Sequence, residues 1–307
     1  MIELIKNPNI DFMAKRKYAF TVSGILCLLG IFAAVQIATG NANLGVDFAG
    51  GTAVQIKFAQ SVPLHLIRRA LESGGVKDFD LQDLPTENKI LIRVKKQEEK
   101  LGGVSELITQ VLSRNFAANK PVIDSTTEIG PKVGAKLRQD SLWAVLFATG
   151  GILLYVAWRF QLRFGIGATI ATFHDVLAVL GIFYILNKEI NLILLSALLT
   201  IAGYSLTDTV VVFDRIRENL KRYLKDSVEV VINKSINEVL SRTIVTSMTV
   251  FLSSLALFLF GGEVIHDFAL AMLLGVAVGT YSSVFVASPV VILLGKKGSG
   301  KAAIGGR

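Results

Sequence analysis

Six long apolar runs divide this sequence, at residues 18–39, 142–158, 164–186, 192–213, 244–260 and 268–294. Most are about 18–24 residues long, the number of helical residues that crosses a hydrocarbon core of roughly 30 Å at 1.5 Å per residue. Apart from residues 214–243, the polar stretches between the second and sixth runs are short, and the pattern predicts an α-helical polytopic membrane protein with six transmembrane helices. Between the first and second runs the period changes. In residues 51–58, Val54, Ile56 and Phe58 alternate with polar neighbours, which predicts a strand. Pro63 opens a helix to Ser73, with Leu64, Ile67 and Leu71 at helical spacing, and Gly74-Gly75 stops it. Residues 76–84 and 89–95 read as two strands around a hairpin turn, Pro85-Thr86-Glu87-Asn88. A second helix follows at 104–116, with Leu107, Ile108, Val111 and Leu112 on one face, and a β-rich run at 121–129 closes the segment. The order β-α-β-β-α-β is that of an α+β ferredoxin-like domain.

These runs set the domain boundaries: an N-terminal segment 1–17, a first span 18–39, the extramembrane domain 40–138, five spans in 139–295, and a basic tail 296–307. The chain has 307 residues, is 52% hydrophobic and carries a net charge of +8. Lys15-Arg16-Lys17 precede the first span, Arg159 and Arg163 flank the loop after the second, Arg215, Arg217, Lys221, Arg222 and Lys225 follow the fourth, and Lys296-Lys297 follow the sixth. The loop 187–191 has one Lys and one Glu, and 261–267 has no Lys or Arg. The positive-inside rule then places both termini in the cytoplasm and the 40–138 domain on the other side. The basic excess is topological, and nucleic-acid binding is not expected. Cys27 stands alone in the first span, so no internal disulfide forms. That span is too long for a signal-peptide core and lacks a small-x-small cleavage site, so it reads as an uncleaved anchor.

Against this background one charge stands out. Asp208 lies inside the fourth run, five or six residues from its cytoplasmic end, or roughly 8–9 Å deep. A charge inside a span costs roughly 2.5–3.5 kcal/mol even on the lenient insertion scale. Arg242, two residues before the fifth run on an antiparallel neighbour, is placed to reach toward it. Protonation of Asp208 would break such a pair, which is the physics of an ion relay. The blander alternatives are a polar clamp at Asp208 assisted by Ser205 or Thr209, and an Arg242 that merely snorkels to phosphates. His174 and Asp175 form either a hydrogen-bonded pair tuning an ion path or a helix–helix clamp; Asp214 and Arg215 belong to the interface. Gly275 and Gly279 make a GxxxG pattern suited to a bundle that packs against another bundle. At the exit of the first span, Asp47, Gly50 and Gly51 lie in LGVDFAGGT, where paired glycines permit a sharp bend and Asp47 is placed to cap that turn. The domain's one histidine, His65, reads as solvated. No metal cluster, phosphate loop or nucleophile–base pair is visible, so neither an enzyme nor a cofactor is expected. An intramembrane aspartyl protease built on Asp175 and Asp208 lacks the GxGD context of that family.

LGVDFAGGT at 44–52, His174-Asp175, GYSLTDTVVVFDRIREN at 203–219 and LSRTIVTS at 240–247 together resemble the SecF family of bacterial protein-export subunits, within the resistance-nodulation-division superfamily. The resemblance spans nearly the whole chain. It implies pairing with SecD, which brings six further spans and a larger periplasmic domain, association with the SecYEG channel and YajC in the bacterial inner membrane, and action on unfolded preprotein. It also implies that Asp208 and Arg242 belong to the ion pathway, whether for H⁺ or Na⁺, and that Asp47–Gly51 is a family signature. The rivals are half of a lipid or small-molecule exporter of the same superfamily and a non-transporting receptor with an outside sensor domain.

Overall fold

The computed structural model describes residues 8–84, 88–95 and 103–296. In chain order the elements are helix α1 (Arg16–Thr39), a short helix α2 (Val46–Ala49), strand β1 (Gly51–Lys57), helix α3 (Leu64–Ser73), strands β2 (Phe79–Leu84) and β3 (Lys89–Lys95), helix α4 (Val104–Asn115), strand β4 (Val122–Ile129), and helices α5 (Pro131–Arg159), α6 (Leu162–Ile185), α7 (Leu192–Arg222), α8 (Val228–Phe260) and α9 (Glu263–Ser282). A five-residue π segment, Ser283–Ala287, joins α9 to α10 (Ser288–Lys296). Residue contacts divide the chain into two units: residues 1–42, 143–188 and 193–307 in one, and 43–142 with 189–192 in the other.

The second unit carries a four-stranded sheet in the order β2-β3-β1-β4, every neighbouring pair antiparallel. Its core follows from the alternation seen in the sequence. Val54 and Ile56 of β1 lie opposite Ile92 and Ile90 of β3, and all four are buried. Ile67 and Leu71 of α3 and Ile108 and Leu112 of α4 complete this core and are fully buried. β2 starts at Phe79 rather than at 76, because Asp78 takes a left-handed conformation (φ 52°) that interrupts the extended run. Val76 is buried all the same, as a loop residue. Of the expected hairpin turn, residues 85–87 lie outside the described residues, as does the basic tail from 297 onward.

Six helical segments in the described residues are long and apolar enough to cross a membrane. They outrun the apolar runs. α5 begins at Pro131, α7 continues to Arg222, and α8 begins at Val228, where Ser227 accepts a hydrogen bond from the Val230 N–H at 3.4 Å. Within the membrane unit α6 is the most enclosed span, 67% buried, and α5 the least, 6% buried. The GxxxG face of α9 is used inside the chain. A Cβ at Gly275 would fall 2.4 Å from Ile201 Cδ1, and one at Gly279 3.1 Å from Ser205 Cβ, so these glycines let α7 lie directly on α9. The expectation that this face serves a second bundle is thereby replaced by a contact with α7.

Candidate functional site

The close approach of α7 to α9 brings a set of polar side chains together inside the membrane unit. Asp175 of α6 is its hub and has no exposed surface. Its Oδ2 accepts from Ser205 Oγ of α7 at 2.5 Å and from Ser282 Oγ at the end of α9 at 2.8 Å. Its Oδ1 lies 2.9 Å from His174 Nδ1. One step away, Thr209 of α7 and Ser283 of the π segment share a hydrogen bond of 2.9 Å. The π segment breaks the regular helical rotation just where Ser282 and Ser283 turn toward two different helices. Asp175 is thus a satisfied buried carboxylate that fastens α6, α7 and α9 to one another. His174 Nε2, in contrast, is buried with no hydrogen-bond partner.

Asp208 sits one helical turn from Ser205 and is only 7% exposed, yet its Oδ2 is buried with no hydrogen-bond partner. The residues proposed above as its clamp are engaged elsewhere: Ser205 donates to Asp175, and Thr209 pairs with Ser283. Two groups of α8 act on Asp208, the Thr243 hydroxyl as a nearby hydrogen-bonding group and Arg242 through its charge. Thr243 Oγ1 is itself buried without a partner, as is the hydroxyl of Tyr204, one turn before Asp208. Arg242 is exposed, and among the described residues it closes no ion pair with Asp208. The anticipated buried Asp–Arg pair is therefore an arrangement of neighbours rather than a formed bridge. The apparatus holds one carboxylate locked and a second one available.

Nearer the C-terminus of α7 and the N-terminus of α8, these two helices are clamped by a separate group. Arg215 Nε and Asn219 Nδ2 both donate to Glu238 Oε2 at 2.6 Å, and Asn219 also donates to Ser235. Asp214, named as a supporting residue, is exposed and stands outside both polar groups. Residues 10–13 of the N-terminal segment are held against α8 by Asn233 and Asn237.

The glycine-rich junction lies in the other unit. Gly50 has φ +74°, and a Cβ there would fall 2.8 Å from Pro131 Cα, so only glycine fits. Asp47 does not cap its own turn. Its Oδ2 accepts from the Leu192 N–H at 3.1 Å, the first residue of α7. Sequence reasoning therefore missed Ser282, Ser283, Thr243 and Tyr204 and the long-range bond of Asp47. The signal for the first two was present as the polar cluster Thr280-Tyr281-Ser282-Ser283 in an apolar run.

Comparison with known proteins adds an independent line. The family described as Protein export membrane protein SecD/SecF, C-terminal, matches residues 108–297, and that described as SecD/SecF GG Motif matches residues 42–62. The chain is 62% identical over 298 residues to the protein translocase subunit SecF of Thermodesulfovibrio yellowstonii, covering 96% of this chain and 98% of that one. It is 42% identical over 297 residues to the protein translocase subunit SecF of Calditerrivibrio nitroreducens, covering 95% and 97%. The crystal structure of SecDF, a translocon-associated membrane protein from Thermus thermophilus, is similar with a TM-score of 0.82 and 36% identity, over 94% of this chain and 39% of that one. The present chain thus spans about two fifths of that SecDF molecule.

Proposed function

Because the chain belongs to the SecF family of protein translocase subunits, we propose that it works with a SecD partner to convert an ion gradient into late steps of preprotein translocation across the bacterial inner membrane. The observation that carries this reading is the contrast between two buried carboxylates. Asp175 has every oxygen engaged, whereas Asp208 keeps one buried oxygen without a hydrogen-bond partner beside the guanidinium of Arg242. A carboxylate held that way can exchange its charge state with little loss of structure, and each state favours a different arrangement of α7 and α8. One elementary charge crossing 100 mV supplies about 2.3 kcal/mol, enough to bias a domain between two positions but not to unfold a stable protein at a stroke. Repeated small steps on an already unfolded chain fit that magnitude.

The sheet order β2-β3-β1-β4 with α3 and α4 as crossovers supports a ferredoxin-like reading of the outside domain. Its place on the periplasmic side, with both termini cytoplasmic, rests on the basic residues flanking the spans. SecYEG, YajC and the unfolded preprotein are the partners this reading implies. No covalent chemistry is assigned to the chain, and the coupling ion is H⁺ or Na⁺. The names of the relatives favour export of protein over export of lipid or small molecules.

The test is Asp208→Asn in the complex. The variant is expected to insert and co-purify with its partner normally, while translocation loses its response to the ion gradient. Full gradient-driven completion of translocation by that variant would remove the relay role. Crosslinking of the 40–138 domain to lipid rather than to an exported polypeptide would return the exporter reading.

A further inference from the structure

We propose that the segment around Asp47 is a clasp fastening the start of α7, the helix of Asp208, to the sheet domain, with Asp47 as a positioning residue for the first turn of α7. The inference rests on the ion-coupled reading above and supplies the joint that reading needs.

Four fastenings converge on the short connection between α6 and α7. Asp47 Oδ2 accepts from the Leu192 N–H at 3.1 Å, a bond between residues 145 apart in sequence. Leu44 and Ile190 form an isolated parallel β-bridge, in which the Gly45 N–H donates to Ile190 O at 3.0 Å and the Ile190 N–H to Asn43 O at 2.8 Å. Arg93 of β3 pairs with Glu189, and both side chains are largely buried, 16% and 15% exposed. Finally, a Cβ at Gly45 would fall 2.3 Å from Glu189 Oε1 and 2.9 Å from Asn191 Cβ, so the side chains of Glu189 and Asn191 pack directly onto this glycine. On its other side the same segment is seated against the beginning of α5, where a Cβ at Gly134 would fall 2.9 Å from Gly50 N.

A six-residue connection between two membrane helices needs none of this to turn. Residues 189–192 nevertheless group with the sheet domain and not with the helices they connect. The carboxylate of Asp47 stands at the N-terminus of a 31-residue helix, where the backbone dipole and an N–H that has no acceptor within the helix both favour a negative group. From Leu192 to Asp208 the helix is stiff and runs roughly 24 Å, so a displacement at Asp208 reaches Leu192 as a rigid motion. The clasp then hands it to β3 and, through α2, to β1. In this scheme it stays closed throughout the cycle.

The experiment uses the full chain in complex with its SecD-like partner and reads two quantities, Asp208-dependent ion flux in proteoliposomes and gradient-dependent translocation. Three proteins are compared with wild type: Asp208→Asn, the double variant Asp47→Ala/Glu189→Ala, and that double variant with Leu44→Cys and Ile190→Cys in a Cys27→Ser background. Bridged strands lie about 4.8 Å apart, a spacing that a disulfide spans. The double variant is expected to lose about tenfold in translocation while its flux stays within about twofold of wild type. Oxidation of the added cysteine pair restores translocation, and reduction abolishes it again. Wild-type translocation by the double variant overturns the clasp, and so does a parallel fall of flux and translocation that the disulfide does not reverse, since that pattern marks a segment that only holds the fold. An unaffected Asp208→Asn variant instead removes the ion-coupled reading itself, so the two failures are distinguishable.

Discussion

Two aspartates in adjoining helices, Asp175 and Asp208, carry opposite physical burdens, and substitution separates them. Ser205 and Ser282 both donate to the same oxygen of a carboxylate with no exposed surface. Ser205→Ala and Ser282→Ala are each expected to cost about 1–2 kcal/mol of stability, as measured by unfolding in detergent. Because the hydroxyls share one acceptor, the double variant should depart from the sum of the two. Asp208→Asn should leave that stability unchanged or slightly higher, since the atom it alters makes no hydrogen bond. In the N-terminal segment, Asp11 offers a pH test. Hydrogen bonds from the Asn233 amide and the Ala14 N–H hold its carboxyl below the usual range. The folded value is depressed, so this contact contributes above about pH 4 and is lost as pH falls through the lowered value. The mobility of a spin label placed at Ile10 should therefore rise only on strong acidification. A charge in an apolar run is visible in one dimension, which is why Asp208 was legible from the sequence. Its surroundings were not, because Ser205 and Thr209 lie on the same buried stretch and only the rotation fixed by Gly275 and Gly279 decides which groups they meet.

The same limit explains where helices and strands differed from expectation. Apolar runs report contact with lipid, whereas helices end where backbone hydrogen bonding ends, so the first turns of α5 and α8 and the last turns of α7 extend past the runs. Their pattern was nevertheless present: Val231, Ile232, Ser235, Ile236, Val239, Leu240 and Thr243 of α8 are buried at helical spacing. The order of strands and helices in the sheet domain was legible because its alternation is regular, and the late start of β2 was not, because a single left-handed aspartate decided it. The contact of α9 with α7 is the element pairing on which the polar group depends. Gly279→Val would place two methyl groups where a Cβ already falls 3.1 Å from Ser205 Cβ. Such overpacking costs about 1–3 kcal/mol and should draw Ser282 away from Asp175. The expected signature is a stability loss shared with Ser205→Ala, so that a double-mutant cycle between the two positions shows coupling. Strict additivity would mean that α9 does not position Ser205.

For the chain as a unit, the distribution of buried surface argues that, on the proposed ion relay, one subunit does not conduct alone. α6 is enclosed by its own neighbours, but α1 and α8 are each only 17% buried and α5 only 6%. α8 presents Val245, Met248 and Leu252 outward, and Arg242 on the same helix is exposed. An exposed guanidinium at the end of a membrane span favours a charged or hydrated partner that covers it. The charge of that guanidinium acts on Asp208, so on the proposed relay the ion path is completed by whatever covers α8. Reconstituted alone into liposomes, the chain should show no Asp208-dependent ion flux under an imposed gradient of pH or sodium. Co-reconstitution with the proposed six-span partner should establish it, and Arg242→Met should abolish it without preventing co-purification. Flux through the isolated chain would place the whole pathway within these six spans and leave the exposed face of α8 with no part in conduction.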